Sequence, residues 1–462
     1  MPAPAIVLFR RDLRIADNAA LRAAMATGPA VALYVLDSAA DGRPLGGAAR
    51  WWLHHALARI EAQLRDLGVP LILRRGDQNT TVLDTAVEEQ AGAVYWNRRY
   101  TPWGITADRA LKAALRASGT TVGDFPGAYL REPWDLTTKQ GNWIKVFTPF
   151  YRASLAMGEP PGPLQAPQPQ LPPSVSTRSE ALADWDLLPT KPDWADGLRD
   201  TWPSEPGTAE AKLSTFLEGR VSGYSRDRDR PDLDATSALS PYFAFGELSP
   251  RQVWHSARQF QDTSPGSDQG IDSFLRQLVW RDFSANLLYH FPDLGHRPFQ
   301  EQFERFPWSD DPSSLRAWQR GRTGYPWIDA GMRQLWVTGW IHNRVRMGVA
   351  SFLSKHLLLP WQSGEAWFWD TLVDADPAQN IASWQWVAGC GADAAPYFRI
   401  FNPITQGTRF DRTGNYLRRW QPSAASYEPG SGGCQPIIGH KEGRERALAA
   451  FRSLAGRWES PG

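Results

Sequence analysis

Between Asp374 and Trp386 the chain reads Asp-Ala-Asp-Pro-Ala-Gln-Asn-Ile-Ala-Ser-Trp-Gln-Trp. Asp376 followed by Pro377 predicts a helix start, with Asp as N-cap and Pro in the first turn, where its missing N–H is not needed. The helix is expected to end near Gly389 or Gly391. On it Asp376, Asn380 and Trp384 recur every four residues and share one face. A carboxylate, an amide and an indole make an odd packing stripe. Trp386 falls about 200° round from Trp384, so one helix can turn one indole to a buried cofactor and the other to a second cavity. The plainer reading is that Asp376 only caps the helix and both indoles are core.

Two more helical segments carry such faces. Asn343, Arg346 and Met347 share one, and Gln277, Trp280 and Arg281 share another, at i, i+3 and i+4. Three polar-aromatic faces in one region suggest a common concave site. It lacks the means for hydrolysis: there is no Ser-His-Asp order, H-E-x-x-H, cysteine-nucleophile signature or P-loop. Amides, guanidiniums and indoles suit the holding of a cofactor that carries the chemistry itself. No G-x-G-x-x-G is present, which disfavours a nicotinamide site.

The elements that must position these groups fall into two kinds. Over residues 1–130, short apolar runs (Ile6–Phe9, Val31–Leu36, Leu71–Leu73, Ala93–Trp96, Thr120–Val122) alternate with helical stretches such as Ala19–Ala26 and Trp51–Leu67. That is repeated βαβ, hence an α/β domain with a doubly wound parallel sheet. Residues 131–207 include a stretch rich in proline and polar residues and read as a surface-hugging connector. From 208 to 462 strand signals vanish, and segments such as Phe274–Tyr289, Ser314–Trp318, Ile328–Trp336 and Val345–Leu358 predict an all-α domain. The chain carries 462 residues at net charge +1, so a nucleic-acid site would have to be a local basic patch. Its two cysteines, Cys390 and Cys434, cannot build a disulfide framework or a zinc cluster. A reducing cytoplasm fits, and no metal is expected. No secretory signal is evident, and no apolar run approaches the roughly 20 residues that span a bilayer. The 23 tryptophans are the compositional outlier. Most suit a helical core, but indoles also relay electrons and stack on flat ligands.

Several consecutive stretches carry a likeness. They are Phe9-Arg10-Arg11-Asp12-Leu13-Arg14, Thr236-Ser237-Ala238-Leu239-Ser240-Pro241, Phe245 to Arg251, Gly324-Tyr325-Pro326, Gly339 to Arg344, Asp374 to Trp386, and Asp393 to Pro403. From about residue 5 to about 420 the chain resembles the photolyase/cryptochrome family, most of all its bacterial cyclobutane pyrimidine dimer photolyases. The resemblance implies FAD in the helical domain and light-driven electron transfer to a dimer flipped out of ultraviolet-damaged DNA. By likeness, Tyr224, Thr236, Ser237, Leu239 and Ser240 would hold the FAD phosphates and ribityl chain. Trp280, Arg281 and Asn343 would close over the cofactor, Arg346 would pair with Asp374, and Asp376 would touch the flavin or its ribityl group. Asn380 would face flavin N5 as a hydrogen-bond donor. Trp384, Trp361 and Trp308 would form a photoreduction chain to the surface. Trp280 and Trp386 would wedge the dimer, with Gln277, Asn343 and Met347 beside it and Arg344, Arg399 and Arg409 near DNA phosphates.

The departures are also informative. Gln277 stands where the family's dimer enzymes carry Glu, and Ala238 and Ala244 stand where Arg is usual. Asn343 and Met347 replace the histidines of (6-4) photolyases. Trp103-Gly104 replaces an Asn-Glu pair of folate-binding members. A second, antenna chromophore is therefore expected only in general terms, as a deazaflavin, folate or flavin near Asp37 and Arg50. A monomer with no membrane or protein partner is expected. The alternatives are a cryptochrome-like blue-light receptor and, less favoured, a (6-4) photolyase.

Overall fold

The computed structural model describes residues 3–39, 42–394 and 398–455. Residues 395–397 of the Asp393–Pro403 motif lie outside them. Five short strands form one wholly parallel sheet: β1 (Ala5–Phe9), β2 (Ala30–Leu36), β3 (Leu71–Arg75), β4 (Ala93–Asn97) and β5 (Thr121–Phe125). Their order is β3-β2-β1-β4-β5, the doubly wound topology expected. The central strands β2, β1 and β4 read as largely apolar runs because helices cover both faces, and β1 is fully buried, whereas the edge strand β5 is only partly covered. Ile6, Leu8, Val31 and Leu33 face Val82, Leu111 and Leu115 on one side. Ala5, Val7 and Phe9 face Trp51, Trp52 and Leu57 on the other, and this second core runs on into the helical domain without a break.

The connector is less uniform than its composition suggests. Its later part does hug the sheet domain, where Gln170 N–H donates to Leu67 C=O (2.9 Å) and Glu180 N–H to Leu73 C=O (2.8 Å). Its earlier part carries a helix, Phe147–Ala156, whose buried Phe147 and Phe150 belong to the core of the helical domain. There Phe147 stacks on Trp280, ring centroids 3.4 Å apart.

Helices supply all the regular structure from Thr208 onward among the described residues. The Asp268–His290 helix runs through the middle, buried on several sides. The run expected as one helix over Val345–Leu358 is broken in two. An α-helix, Asn343–Ser351, passes into a π-helical turn, Phe352–His356. The wider turn rotates Lys355 and His356 inward, and both are buried. No helix of the described residues is long and apolar enough to cross a membrane.

A candidate flavin site in the helical domain

The three helix faces picked out by their spacing meet around one cavity of about 330 Å³. Its floor is the Pro377–Ala388 helix. Asp376 caps that helix as expected, its Oδ1 accepting from Gln379 N–H at 3.0 Å, and Gly389 ends it at φ 94°. Asp376, Asn380 and Trp384 all line the cavity, each buried. Gly364 lets Trp384 in: a Cβ there would come within 2.1 Å of the indole. Tyr224, Thr236, Ser237, Leu239 and Ser240 line the opposite wall, and Ala238 among them has a left-handed φ of 49°. Gln277, Arg281, Asn343, Arg346 and Met347 also line it, with Arg228, Trp340 and Phe368 among the rest. Asn343 and Met347 are neighbours at the exposed end, with Nδ2 to Sδ 3.9 Å.

The polar groups form two linked clusters. In the first, Asp374 Oδ2 accepts from Ser240 Oγ and from Arg346 Nη2, both at 2.6 Å, and Trp340 Nε1 donates to Ser240 Oγ at 3.2 Å. In the second, Arg281 pairs with Asp376 at 3.2 Å and donates to Phe243 C=O. Three buried polar atoms of the lining have no protein partner: Asp374 Oδ1, Arg281 Nε and Trp384 Nε1. Unpaired buried polar groups are costly, so a polar ligand is called for. No group of three or more His, Cys, Asp or Glu that could hold a metal occurs among the described residues.

Asn380 departs from expectation. Its Nδ2 donates to Glu365 twice, to the backbone oxygen (3.0 Å) and to Oε1 (2.7 Å). Two acceptors on one side fix which end of the amide is nitrogen. Both N–H groups of the amide are thus engaged by Glu365, so in this structure only Oδ1 is left for a cofactor, where the resemblance implied a donor. Glu365 is itself held by Arg43 of the α/β domain, which makes a two-pronged contact with the carboxylate and lies over Trp369 at 4.0 Å.

Gln277 is also tethered. Its Oε1 accepts from Arg228 Nη2 at 3.1 Å, and its Nε2 donates to Ser273 C=O at 2.8 Å. The carboxylate that the family has here is absent, and a cation, Arg228, stands beside the amide. Trp280 requires a correction: it does not line the cavity, and one of its faces is covered by Phe147. Trp386 faces away from the cavity, as its rotation round the helix required, and donates to Asp393 C=O at 3.1 Å. Arg344 is paired with Asp229 and lies over Phe410, so its charge is largely engaged. Arg399 and Arg409 are exposed.

Trp361 sits one turn before Gly364 on the helix that carries Trp384's contact, and is 1% exposed. Ser309 N–H donates to Leu358 C=O at 2.7 Å, which brings half-buried Trp308 toward the same end. The rings against Trp384 itself are Phe368 (4.9 Å) and Trp318 (6.1 Å). Sequence reasoning missed Trp318, Arg228 and Glu365. Only the last leaves a trace, being four residues after Trp361 and so on its face.

The strand ends of the α/β domain open on smaller spaces. A cavity of about 80 Å³ lies against Arg10, Arg14, Arg98 and Arg99, and one of about 40 Å³ against Asp37 and Gln78. Asp37 accepts from Ala39 and Gln78 N–H, Arg50 donates to Asp186 C=O, and Trp103 packs over Gly42. Small-molecule sites usually offer about 300 Å³ or more. Among the described residues, neither space by itself reaches that size.

Residues 5–172 match the profile of the DNA photolyase domain, and residues 274–431 match that of the FAD binding domain of DNA photolyase. The chain belongs to the DNA photolyase family. A deoxyribodipyrimidine photo-lyase of Agrobacterium fabrum is 48% identical over 475 residues, spanning 98% of each chain. Cryptochrome-1 of Arabidopsis thaliana is 36% identical over 482 residues, 97% of this chain and 70% of that one. The crystal structure of a bacterial class III photolyase from Agrobacterium tumefaciens superposes with a TM-score of 0.93 at 47% identity, covering 99% of this chain and 98% of that chain. In a photolyase-family chain the large cavity, with its orphaned carboxylate oxygen and fixed amide, fits FAD.

Proposed function

We propose that this chain repairs cyclobutane pyrimidine dimers in DNA, using FAD held in the 330 Å³ cavity. The observation that carries the proposal is that this one cavity joins the cofactor groups Asp374, Asn380 and Trp384 to the outward-facing Gln277, Asn343 and Met347. When bound and reduced, FAD supplies a light-driven electron. Asp374 and Arg346 orient the cofactor. Asn380 offers it an acceptor and no proton. Gln277 and Arg228 stand beside the dimer, where the cation offsets the negative charge that the added electron brings. Trp384, Trp361 and Trp308 carry electrons inward when the cofactor is oxidised. Trp386 and the open face of Trp280, both outside the cavity lining, are left to the DNA that surrounds the flipped dimer. Arg399 and Arg409 meet the DNA backbone, with Arg344 held close by its pair with Asp229.

Dimer chemistry is favoured over (6-4) chemistry because Asn343 and Met347 stand at the outward end of the cavity and no histidine is among its described lining residues. Burial pushes the nearest histidine, His342, down to about 4, so it is neutral at neutral pH. The likeness to a cryptochrome favours a second reading, a photoreceptor without repair. One assay separates them. Reduced protein is illuminated with ultraviolet-damaged oligothymidine, and recovery of absorbance near 260 nm is followed. Recovery is expected under blue or near-ultraviolet light; its absence would sink the repair reading and leave the receptor one.

A further inference from the structure

The π-helical turn Phe352–His356 buries a lysine that the cofactor site does not use. Lys355 is 2% exposed. Its Nζ donates to the backbone carbonyl of Arg399 and lies 4.2 Å from the centre of the Phe398 ring. Four residues earlier, Ser351 Oγ accepts from Phe401 N–H at 3.3 Å. Phe398 is also stacked on Phe451 of the His440–Ala455 helix, centroids 4.7 Å apart and nearly parallel. Residues 398–401 are thus held at a carbonyl, a ring and an N–H. This segment lies between the helix that bears Trp386 and the Pro403–Phe410 helix that bears Arg409, and Arg399 itself is exposed. Burying an amine is a costly way to tie down a backbone that an apolar side chain could simply pack against.

We propose that Lys355, with Ser351, is a positioning residue for damaged DNA: it fixes the 398–401 backbone so that Arg399 meets the DNA beside Trp386. The inference rests on the repair reading. Burial pushes the Lys355 amine down to about 7, against an opposing effect of Cys390 and with a smaller one of Arg399 in the same direction. Titratable groups near it include Cys390, His356 and His440, and the His440–Ala455 helix packed against this turn adds Glu442 and Arg444. Burial raises the Cys390 thiol to about 12, and burial lowers His356 to about 3 and His440 below its usual value. Protonated Lys355 donates more strongly and is attracted to the Phe398 ring; the neutral amine loses that attraction. The grip therefore loosens as pH rises through 7.

The test uses full-length, FAD-loaded protein and two oligonucleotides, one with a single thymine dimer and one undamaged. Affinities are measured at pH 6, 7 and 8, and DNA-free photoreduction of the flavin is followed alongside. Wild type is expected to prefer the dimer less at pH 8 than at pH 6. Lys355→Met should lose about tenfold in that preference at pH 6, and Ser351→Ala about threefold. Lys355→Met should lose the pH dependence, and photoreduction should be unchanged. A Lys355→Met protein with full FAD content and wild-type preference overturns the proposal. If that variant does not fold, unchanged preference in Ser351→Ala overturns it instead. A wild type with no preference at any pH overturns the repair reading itself.

Discussion

Gln277 is where residue chemistry bears most directly on yield. Its amide keeps the reach of a glutamate but not the charge, and it is tied to Arg228. Gln277→Glu should raise the number of dimers split per absorbed photon, measured by actinometry with damaged oligothymidine. An unchanged yield would mean that this position does not limit the reaction. Trp384 gives a second residue-level prediction. It lines the cavity and touches Phe368 and Trp318, so Trp384→Phe should abolish photoreduction of oxidised flavin. The same variant, reduced chemically beforehand, should still repair; loss of both activities would place Trp384 in the repair step itself. Asp376, Asn380 and Trp384 were legible from spacing because a four-residue recurrence is a local property of one helix. The partners that set their roles were not. Glu365 meets Asn380 from another helix, and Arg228 meets Gln277 from a turn 49 residues away. Periodicity carries no information about such contacts, and the donor role that the resemblance implies for Asn380 takes no account of Glu365.

Among elements, the helix Trp361–Thr371 is pinned to its neighbour by the Trp384 indole resting on Gly364. Gly364→Ala forces a Cβ into that ring, and overpacking of this kind costs about 1–3 kcal/mol. A lower denaturant midpoint with a shifted flavin spectrum is expected; a wild-type midpoint would mean that the two helices part easily. The central strands were legible because apolar runs covered on both faces leave a plain signature; the edge strand Thr121–Phe125, only partly buried, runs three residues beyond the expected Thr120–Val122. The π turn was not, since Val345–Leu358 keeps a helical pattern of apolar residues throughout. One extra residue per turn alters which side chains point inward without altering that pattern. Trp280 was misplaced for a related reason: its cover, Phe147, comes from the stretch read as an exposed connector.

At the scale of the whole molecule, two fields act. DNA affinity should fall steeply with salt although net charge is only +1, because the contacts are local. Replacing Arg399 or Arg409 by Ala should reduce the slope of log affinity against log salt by about 0.9 each; an unchanged slope would remove that arginine from the interface. The second field is at the domain junction. Asp282 accepts from the N–H groups of Leu130 (3.2 Å) and Arg131 (3.0 Å), and burial raises its carboxyl to about 7. A group raised in the folded state stabilises fully at low pH, and its contribution is lost as pH rises through the folded value. Wild-type stability should therefore fall between about pH 4 and 7 relative to Asp282→Asn and level off above that, read from urea midpoints; parallel profiles would refute the assignment. The bond from Arg43 to Glu365 also crosses this junction, and Glu365 orients the Asn380 amide. The α/β domain is thus not an interchangeable module. A chimera that joins this helical domain to an α/β domain lacking arginine at position 43 should fold and take up flavin, yet hold it with altered redox behaviour. A swap of α/β domains that left the arginine behind would take away one support of the Asn380 amide.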